Sequence, residues 1–162
     1  MCCLNIGRWI GAAVRIQGDA LEGEARELAQ THAELALSLQ ATMKPNDAPI
    51  LLLSGGECTV TKRGDGIGGP NAEYALAAML ALKGAAGIHV LACDTDGVDG
   101  AAEVAGAYAG PDSIQRAHIQ GISAQTALEA NDAHSFFDVL QDQVVTGPTH
   151  TNVNDFRAIL LR

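Results

Sequence analysis

Pro49-Ile50-Leu51-Leu52-Leu53-Ser54-Gly55-Gly56 is the stretch of sequence that decides the fold. Four consecutive apolar residues lie between a proline and a Ser-Gly-Gly sequence, and so short an apolar run is typical of a strand buried on both faces. Residues 88–92 form a second run of this kind. A longer helical pattern precedes each run, and strands that alternate with helices predict an α/β domain.

Two long helices are predicted from apolar residues that recur every three or four positions. The first covers residues 22–43, and the second covers residues 71–83 and closes at Gly84. Shorter helices are predicted at 112–120, 123–130 and 133–140, and shorter strands at 12–17, 58–62, 105–109, 143–145 and 156–161. We therefore expect an α/β, three-layer Rossmann-like domain with a mixed, largely buried sheet flanked by helices. Residues 18–162 form this domain, and residues 1–17 are an atypical N-terminal segment with one short strand.

The composition is that of a globular domain with small-molecule rather than polymeric partners. The 162 residues are 48% hydrophobic and 4% aromatic, which suffices for one core. The formal net charge is −9 and Lys and Arg form no cluster, so neither nucleic acid nor a membrane is an expected partner. No apolar stretch reaches membrane-spanning length, and the first residues lack the apolar part of a signal peptide. We expect a cytoplasmic protein.

The four cysteines indicate neither a zinc site nor a disulfide framework. Cys2 and Cys3 are adjacent, whereas Cys58 and Cys93 stand in predicted strands. Buried, reduced thiols are the expected state of Cys58 and Cys93, and this state fits a reducing compartment.

Four polar or glycine-rich segments follow predicted strands, at residues 54–57, 64–69, 94–100 and 146–155. In α/β sheets, ligands bind beyond the carboxyl ends of strands. The four segments are therefore expected to converge on one crevice.

The second segment matches G-x-G-x-x-G through Gly64, Gly66 and Gly69, between a predicted strand and a predicted helix. Such glycines let backbone N–H groups approach a phosphate, and a helix N-terminus favours its negative charge. Asp94 follows at the end of the next strand, where a dinucleotide fold places an acidic residue. A flexible connection that binds nothing would use the same glycines, so both interpretations stay open.

The third segment carries three aspartates, Asp94, Asp96 and Asp99. No glutamate occupies the twelfth position, so a calcium-binding EF-hand is not expected. Carboxylates on one loop suit Mg²⁺ held jointly with phosphates, or a base for a hydroxyl proton. Asp and Gly also form ordinary turns, and this interpretation stays open too.

The remaining polar residues give weaker indications. His32, His89, His118 and His134 are scattered and are expected to be structural or exposed, whereas His150 lies within the last polar segment and is a candidate for ligand contact. Ser54 does not stand in G-x-S-x-G, so a hydrolase nucleophile is not expected.

Five motifs occur in order along the chain. They are Leu51-Leu52-Leu53-Ser54-Gly55-Gly56-Glu57-Cys58-Thr59-Val60, Gly68-Gly69-Pro70-Asn71-Ala72-Glu73, Thr95-Asp96-Gly97-Val98-Asp99-Gly100, Asn131-Asp132, and Thr146-Gly147-Pro148-Thr149-His150-Thr151-Asn152-Val153-Asn154-Asp155. Together they resemble the MOFRL domain, the C-terminal part of the class II glycerate 2-kinases, whose members are often named hydroxypyruvate reductase.

The resemblance implies phosphorylation of D-glycerate at its 2-hydroxyl with ATP and Mg²⁺, in a cleft between two α/β domains. It implies Asp96 and Asp99 as catalytic carboxylates that hold the metal or orient the hydroxyl. The residues implied to bind substrate or phosphate are Ser54, Gly55, Gly56, Glu57, Gly68, Gly69, Asn71, Glu73, Thr95, Thr149, Thr151, Asn152, Asn154 and Asp155.

The resemblance extends from Gly18 to the end and covers only the second of the family's two domains. The larger N-terminal domain, with a lysine thought to be catalytic, is not matched. A truncated or frameshifted reading frame would explain this, and predicts a poorly active chain that forms a homodimer through the surface left open. Pro70 and Ala72 replace Arg and Gln of the family motif, and His150 replaces a frequent Gly.

Two other functions remain as alternatives. An NAD(P)H-dependent hydroxypyruvate reductase depends on the G-x-G-x-x-G match. A non-catalytic α/β module that binds a partner domain depends on the apolar Ala and Leu faces.

Overall fold

The computed structural model describes residues 11–100 and 102–162, which form a mixed sheet with helices. In chain order the elements are β1 (Ala13–Glu24), α1 (Ala25–Gln40), β2 (Ile50–Thr59), α2 (Pro70–Leu82), β3 (Ile88–Asp94), β4 (Gly106–Ala109), α3 (Ser113–Ile119), α4 (Ala124–Glu129), α5 (Ala133–Leu140), β5 (Gln143–Val144) and β6 (Asp155–Leu161). Cys2, Cys3 and most of the predicted N-terminal segment lie outside the described residues.

The six strands of the described chain form one sheet in the order β1-β2-β6-β3-β4-β5. Strands β1 and β2 are parallel, whereas the other neighbours are antiparallel. The last strand, β6, inserts between β2 and β3 at the centre of the sheet. The predicted α/β class with a mixed sheet is confirmed.

The helices of the described residues lie on one face of the sheet, because α1, α3, α4 and α5 all contact α2. Four fully buried alanines on α1 let it pack closely on α2: Ala25, Ala29, Ala33 and Ala36. On the opposite face Leu91, Ala158 and Leu160 are half-buried. In the described residues, the face of the sheet that carries these helices is thus more deeply buried than the other face.

Two predicted segments differ from the structure near the site. Residues 54–57, expected as a loop, lie within β2. Of the separate strand expected at 58–62, residues 58–59 are the end of β2 and residues 60–62 lie in the following loop. The strand can continue through position 56 only with glycine there, because a Cβ would lie 2.1 Å from the backbone oxygen of Leu21 in β1. Glycine thus allows β1, which has register shifts at Gly18 and Leu21, to stay paired with β2.

In the part of the chain that the structure describes, no helix combines the length and apolarity needed to cross a membrane. Cys58 and Cys93 are free thiols, and burial raises the pKa of both, that of Cys93 to about 11. Both thiols are therefore protonated at neutral pH; Cys58 is buried, as expected, whereas Cys93 is half-buried.

Candidate functional site

Polar loops meet at one edge of the sheet, as the sequence predicts. Strand β3 ends at Asp94, and β6 begins directly opposite at Asp155. Gly56 of β2 pairs with Asp155 from the other side. The loops at 95–105 and 145–154 are thus brought side by side, and the loop at 60–69 follows β2 at the same edge.

The aspartate loop and the threonine-rich loop are hydrogen-bonded to each other. The backbone N–H and the hydroxyl of Thr95 donate to the carbonyl of Asn154 at 3.2 and 2.8 Å. Thr149 donates its N–H to the carbonyl of Asp96 at 3.2 Å and its hydroxyl to the carbonyl of Thr95. Thr95 and Thr149 are predicted to bind ligand, but in the structure their hydroxyl groups donate hydrogen bonds that join the two loops.

Asp96, in this pair of loops, has a half-exposed carboxylate. One of its oxygens accepts the N–H of Val98 at 2.8 Å, and the other accepts the side-chain amide of Asn152 at 3.2 Å. The neighbouring residues Thr151 and Asn154 are exposed. Asp96 is therefore oriented by the protein yet open to a ligand.

Asp94 lies beside Asp96 and has an altered acidity. Its carboxylate accepts the N–H of Asp96 at 3.0 Å. Burial first, and then the charges of Asp96 and Asp155, raise the pKa of the Asp94 carboxyl, although the N–H of Asp96 acts in the opposite direction. A cation placed here would relieve this repulsion.

Asp99, predicted to bind metal, has a different environment. It is 1% exposed, and its two oxygens accept the backbone N–H groups of Asn71 and Ala72 at 2.9 and 2.8 Å. Nε2 of His134 lies 3.2 Å from the carboxylate and 3.1 Å from the Asp99 carbonyl. The carboxylate thus caps α2 and occupies the helix N-terminus that one of the two sequence interpretations gave to a phosphate.

Asn71 and Asp155, predicted to bind substrate, belong to a buried polar cluster. The Asn71 side-chain amide donates to Asp155 at 2.6 Å, and the other oxygen of Asp155 accepts from Arg157 at 2.6 Å and from the N–H of Cys58 at 3.0 Å. The Arg157 guanidinium lies 5.6 Å from the ring centroid of Tyr74. These contacts fix the first turn of α2 to the start of β6.

Glu73 is also predicted to bind substrate, and it is fully buried. Arg26 of α1 donates to one carboxylate oxygen at 2.5 Å, and the side chain of Asn131 donates to the other at 2.9 Å. Since both oxygens have partners within the protein, Glu73 joins helices rather than facing the crevice.

The glycines of the G-x-G-x-x-G match are required by close packing within the protein. A Cβ at Gly64 would lie 2.5 Å from the carbonyl oxygen of Ala130, and one at Gly66 would lie 2.4 Å from the Cβ of Asp132. A Cβ at Gly69 would lie 2.4 Å from the carboxylate carbon of Asp99. The structure thus favours the interpretation in which these glycines bind no phosphate. Gly68, the other predicted glycine, has a similarly tight contact with the carbonyl of Asn131.

The residues of β2 that are predicted to bind substrate differ in their exposure to solvent. Ser54 and Gly56 are buried, Gly55 is half-buried beside the carbonyls of Asp19 and Asp155, and Glu57 is exposed. Glu57 is thus the side chain of this group that a ligand can reach.

The loop that follows β2 carries two exposed cations, Lys62 and Arg63. Lys62 lines a cavity of about 230 Å³ together with Val60, Gly66, Gly68 and Asn131. A larger cavity of about 420 Å³ lies between α3, α4 and α5, away from the aspartate loop. We place the candidate site at the smaller cavity and the aspartate loop, because the charged and half-exposed polar groups are there.

Magnesium fits the residues at this edge. Within residues 11–100 and 102–162, no group of three or more His, Cys, Asp or Glu side chains could enclose a metal ion. Mg²⁺ is commonly held by one or two carboxylates together with substrate phosphates, and oxygen donors suit it. Asp94 and Asp96 match that pattern, whereas Asp99 is turned to the helix.

Sequence reasoning missed Arg157, Asn131 and His134 as members of the site's supporting layer. Arg157 occupies an alternating apolar strand, and a charge on the core side of such a strand was the available signal. Asn131 was noted within a motif without a role, and its φ of +54° marks a backbone position that few residues other than Gly, Asn and Asp adopt.

The chain is similar to known proteins over most of its length. The model of the MOFRL family matches residues 50–155. A protein from Agrobacterium vitis named "Putative hydroxypyruvate reductase" is 49% identical over 93% of this chain and 35% of its own length. The D-glycerate 2-kinase of Thermotoga maritima is 35% identical over 84% of this chain and 33% of its own length.

The fold also matches a solved structure. The crystal structure of the Thermotoga maritima glycerate kinase superposes with a TM-score of 0.92 and 32% identity, over 98% of this chain and 38% of that chain. The chain thus spans about a third of the length of the relatives it matches. The family model, the relatives and the fold agree, and the chain belongs to the MOFRL family.

Proposed function

We propose that this chain is the MOFRL domain of a glycerate 2-kinase, which transfers the terminal phosphoryl group of ATP to the 2-hydroxyl of D-glycerate. The observation that carries the proposal is the half-exposed Asp96, which two interlocked loops hold at the sheet edge. The names of the kinase relatives supply the reaction and the substrate.

In this proposal Asp96 has the central role. With Asp94 it would hold Mg²⁺, which, when bound, neutralises phosphate charge. Asp96 would also orient the attacking hydroxyl. Thr151 and Asn152 of the neighbouring loop would hydrogen-bond the glycerate carboxylate, and Lys62 and Arg63 would supply cations for the phosphates.

Phosphoryl transfer depends mostly on positioning and charge neutralisation. The described residues provide carboxylates, amides and hydroxyls on one wall but few cations. We therefore propose that a second domain completes the site. The purified chain with ATP, Mg²⁺ and D-glycerate should give little 2-phosphoglycerate, and turnover at about 1–10³ per second would contradict this.

The reductase alternative is disfavoured by the geometry of α2. A dinucleotide fold places the pyrophosphate at the helix N-terminus behind the glycine loop. Here the Asp99 carboxylate already accepts the N–H groups of Asn71 and Ala72. A second anion at the same position would be repelled, so NADH is not expected to bind there.

A chimera tests the proposed reaction. Residues 13–162 would replace the matching C-terminal part of the Thermotoga maritima glycerate kinase, with the shortened Thermotoga protein as the control. We expect ATP-dependent phosphorylation of D-glycerate by the chimera and not by the control. Asp96→Asn should lower kcat about 10²–10⁴-fold. A folded chimera that oxidises NADH with hydroxypyruvate, and does not phosphorylate glycerate, would contradict the proposal.

The predicted homodimer stays a proposal. The sheet face opposite the helices carries half-buried apolar residues, such as Leu91 and Leu160, that a second copy would cover. Light scattering of the purified chain should then give twice the monomer mass, and a monomer at high concentration would exclude this partner.

A further inference from the structure

Asn131 occupies the turn between α4 and α5, directly beneath the loop at residues 61–67. It is 5% exposed and has a φ of +54°. Its side-chain oxygen accepts the N–H groups of Arg63 and Gly64 at 2.6 and 2.9 Å. Its amide nitrogen donates to the carbonyl of Thr61 at 3.3 Å and to Glu73 at 2.9 Å. A single side chain thus satisfies three backbone groups of an otherwise exposed loop.

The neighbours of Asn131 hold the rest of the loop. The carbonyl of Ala130 accepts the N–H of Gly66 at 2.9 Å, and the carboxylate of Asp132 accepts the N–H of Ile67 at 2.9 Å. Cβ atoms at Gly64 and Gly66 would collide with this turn, so the backbone of the loop packs directly against the backbone of the turn.

The turn is itself fixed from below. Glu73 binds Asn131 with one oxygen and Arg26 with the other. Arg26 also donates to the carbonyl of Leu128, at the end of α4, at 2.8 Å. The side chains of α1 and α2 therefore hold Asn131 rigidly, and Asn131 holds the loop.

This loop carries Lys62 and Arg63, the cations beside the candidate site. Because both side chains are exposed, their positions depend on the backbone conformation of the loop. We propose that Asn131 is a positioning residue, which fixes Lys62 and Arg63 at the edge of the cavity for the phosphates of a nucleotide. The inference rests on the proposed function for the ligand, but its structural part stands on the contacts alone.

Trypsin cleavage of the native chain tests the structural part, because Lys62 and Arg63 are themselves trypsin sites. Asn131→Gly keeps the backbone conformation accessible and removes the side-chain contacts. Cleavage after Lys62 or Arg63 should accelerate at least about tenfold, since more than one hydrogen bond is lost. Ser113→Ala is the matched control, because Ser113 is a fully buried hydrogen-bonding residue of α3, outside the loop.

Equal acceleration in both variants, or none in Asn131→Gly, would overturn the inference, because cleavage would then report global unfolding or a loop held by other contacts. The second measurement is the affinity of the full chain for Mg·ATP by NMR titration. We expect it to fall about tenfold in Asn131→Gly and to be unchanged in Ser113→Ala.

The two measurements separate the inference from the proposed function. Faster cleavage with unchanged Mg·ATP affinity would overturn the positioning role. A wild-type chain that does not bind Mg·ATP would contradict nucleotide binding by this domain, and cleavage would then decide whether Asn131 fixes the loop.

Discussion

Removal of the Asp99 carboxylate should unfold the start of α2 and destabilise the whole domain. In Asp99→Ala the N–H groups of Asn71 and Ala72 lose their acceptor while remaining buried, whereas Nε2 of His134 keeps the backbone carbonyl of residue 99. A lost N-cap costs about 1 kcal/mol, and each buried donor left without a partner costs about 1–3 kcal/mol. We therefore expect the free energy of unfolding to fall by about 3–5 kcal/mol.

Urea denaturation followed by circular dichroism measures this change, with an unchanged m value as evidence that the same surface unfolds. Asp99→Asn keeps the shape and one acceptor oxygen, but its NH2 group would face one of the two backbone N–H groups, so it should cost less than Asp99→Ala, about 1–3 kcal/mol. Asp65→Ala is the control, because the fully exposed Asp65 pairs only with Lys62 and its removal should change stability by less than about 0.5 kcal/mol.

If Asp99 binds a ligand instead, its removal should raise the free energy of unfolding. Active-site carboxylates are held together at a cost in stability, so their removal commonly stabilises a protein. A stability of Asp99→Ala equal to or above that of the wild type would refute the cap and restore Asp99 as a metal ligand.

Two further predictions concern the packing of β1 and the buried His32. Gly56→Ala should lower the free energy of unfolding by more than about 3 kcal/mol, because its Cβ would overlap the Leu21 backbone and its φ is +127°. Gly121→Ala is the control and should lower it by about 1 kcal/mol, because Gly121 has a positive φ but open space around it. Equal losses in urea denaturation would contradict the overlap. Burial, and then the charge of Arg157, lower the pKa of His32 from 6.5 to about 4 in the folded chain, where its ring nitrogen lies 2.7 Å from the Tyr74 hydroxyl. The unfolded chain therefore takes up the proton first as the pH falls, and stability should decrease from about pH 6.5 to about pH 4 by up to about 3 kcal/mol. His32→Gln should remove this part of the pH dependence, and an unchanged profile would contradict it.

Local patterns predicted most of the elements. The apolar runs in β2 and β3 predicted buried strands, and the helix predicted at residues 71–83 differs from α2 by one residue at each end. The extent of β1 could not be predicted, because its pairing beyond Gly18 depends on the contact of Leu21 with Gly56, distant in sequence.

The roles of polar residues were harder to predict than their location. Asp96 and Asp99 are three positions apart on one loop, yet one is half exposed and the other is buried. That difference arises because the N-terminus of α2 packs against Asp99, a contact between elements that no local spacing encodes. The same holds for Glu73, whose partners Arg26 and Asn131 come from two other elements.

Metal binding at the aspartate loop tests the central claim most directly. Mn²⁺, a paramagnetic substitute for Mg²⁺, would be titrated into the ¹⁵N-labelled chain, and the broadening of each amide resonance would be measured. We expect residues 94–98 and 149–154 to broaden first, and Asp96→Asn to abolish this while the free energy of unfolding changes by less than about 0.5 kcal/mol. Broadening spread over the acidic surface, or unchanged in Asp96→Asn, would contradict the assignment of Asp96 as the carboxylate that faces the ligand.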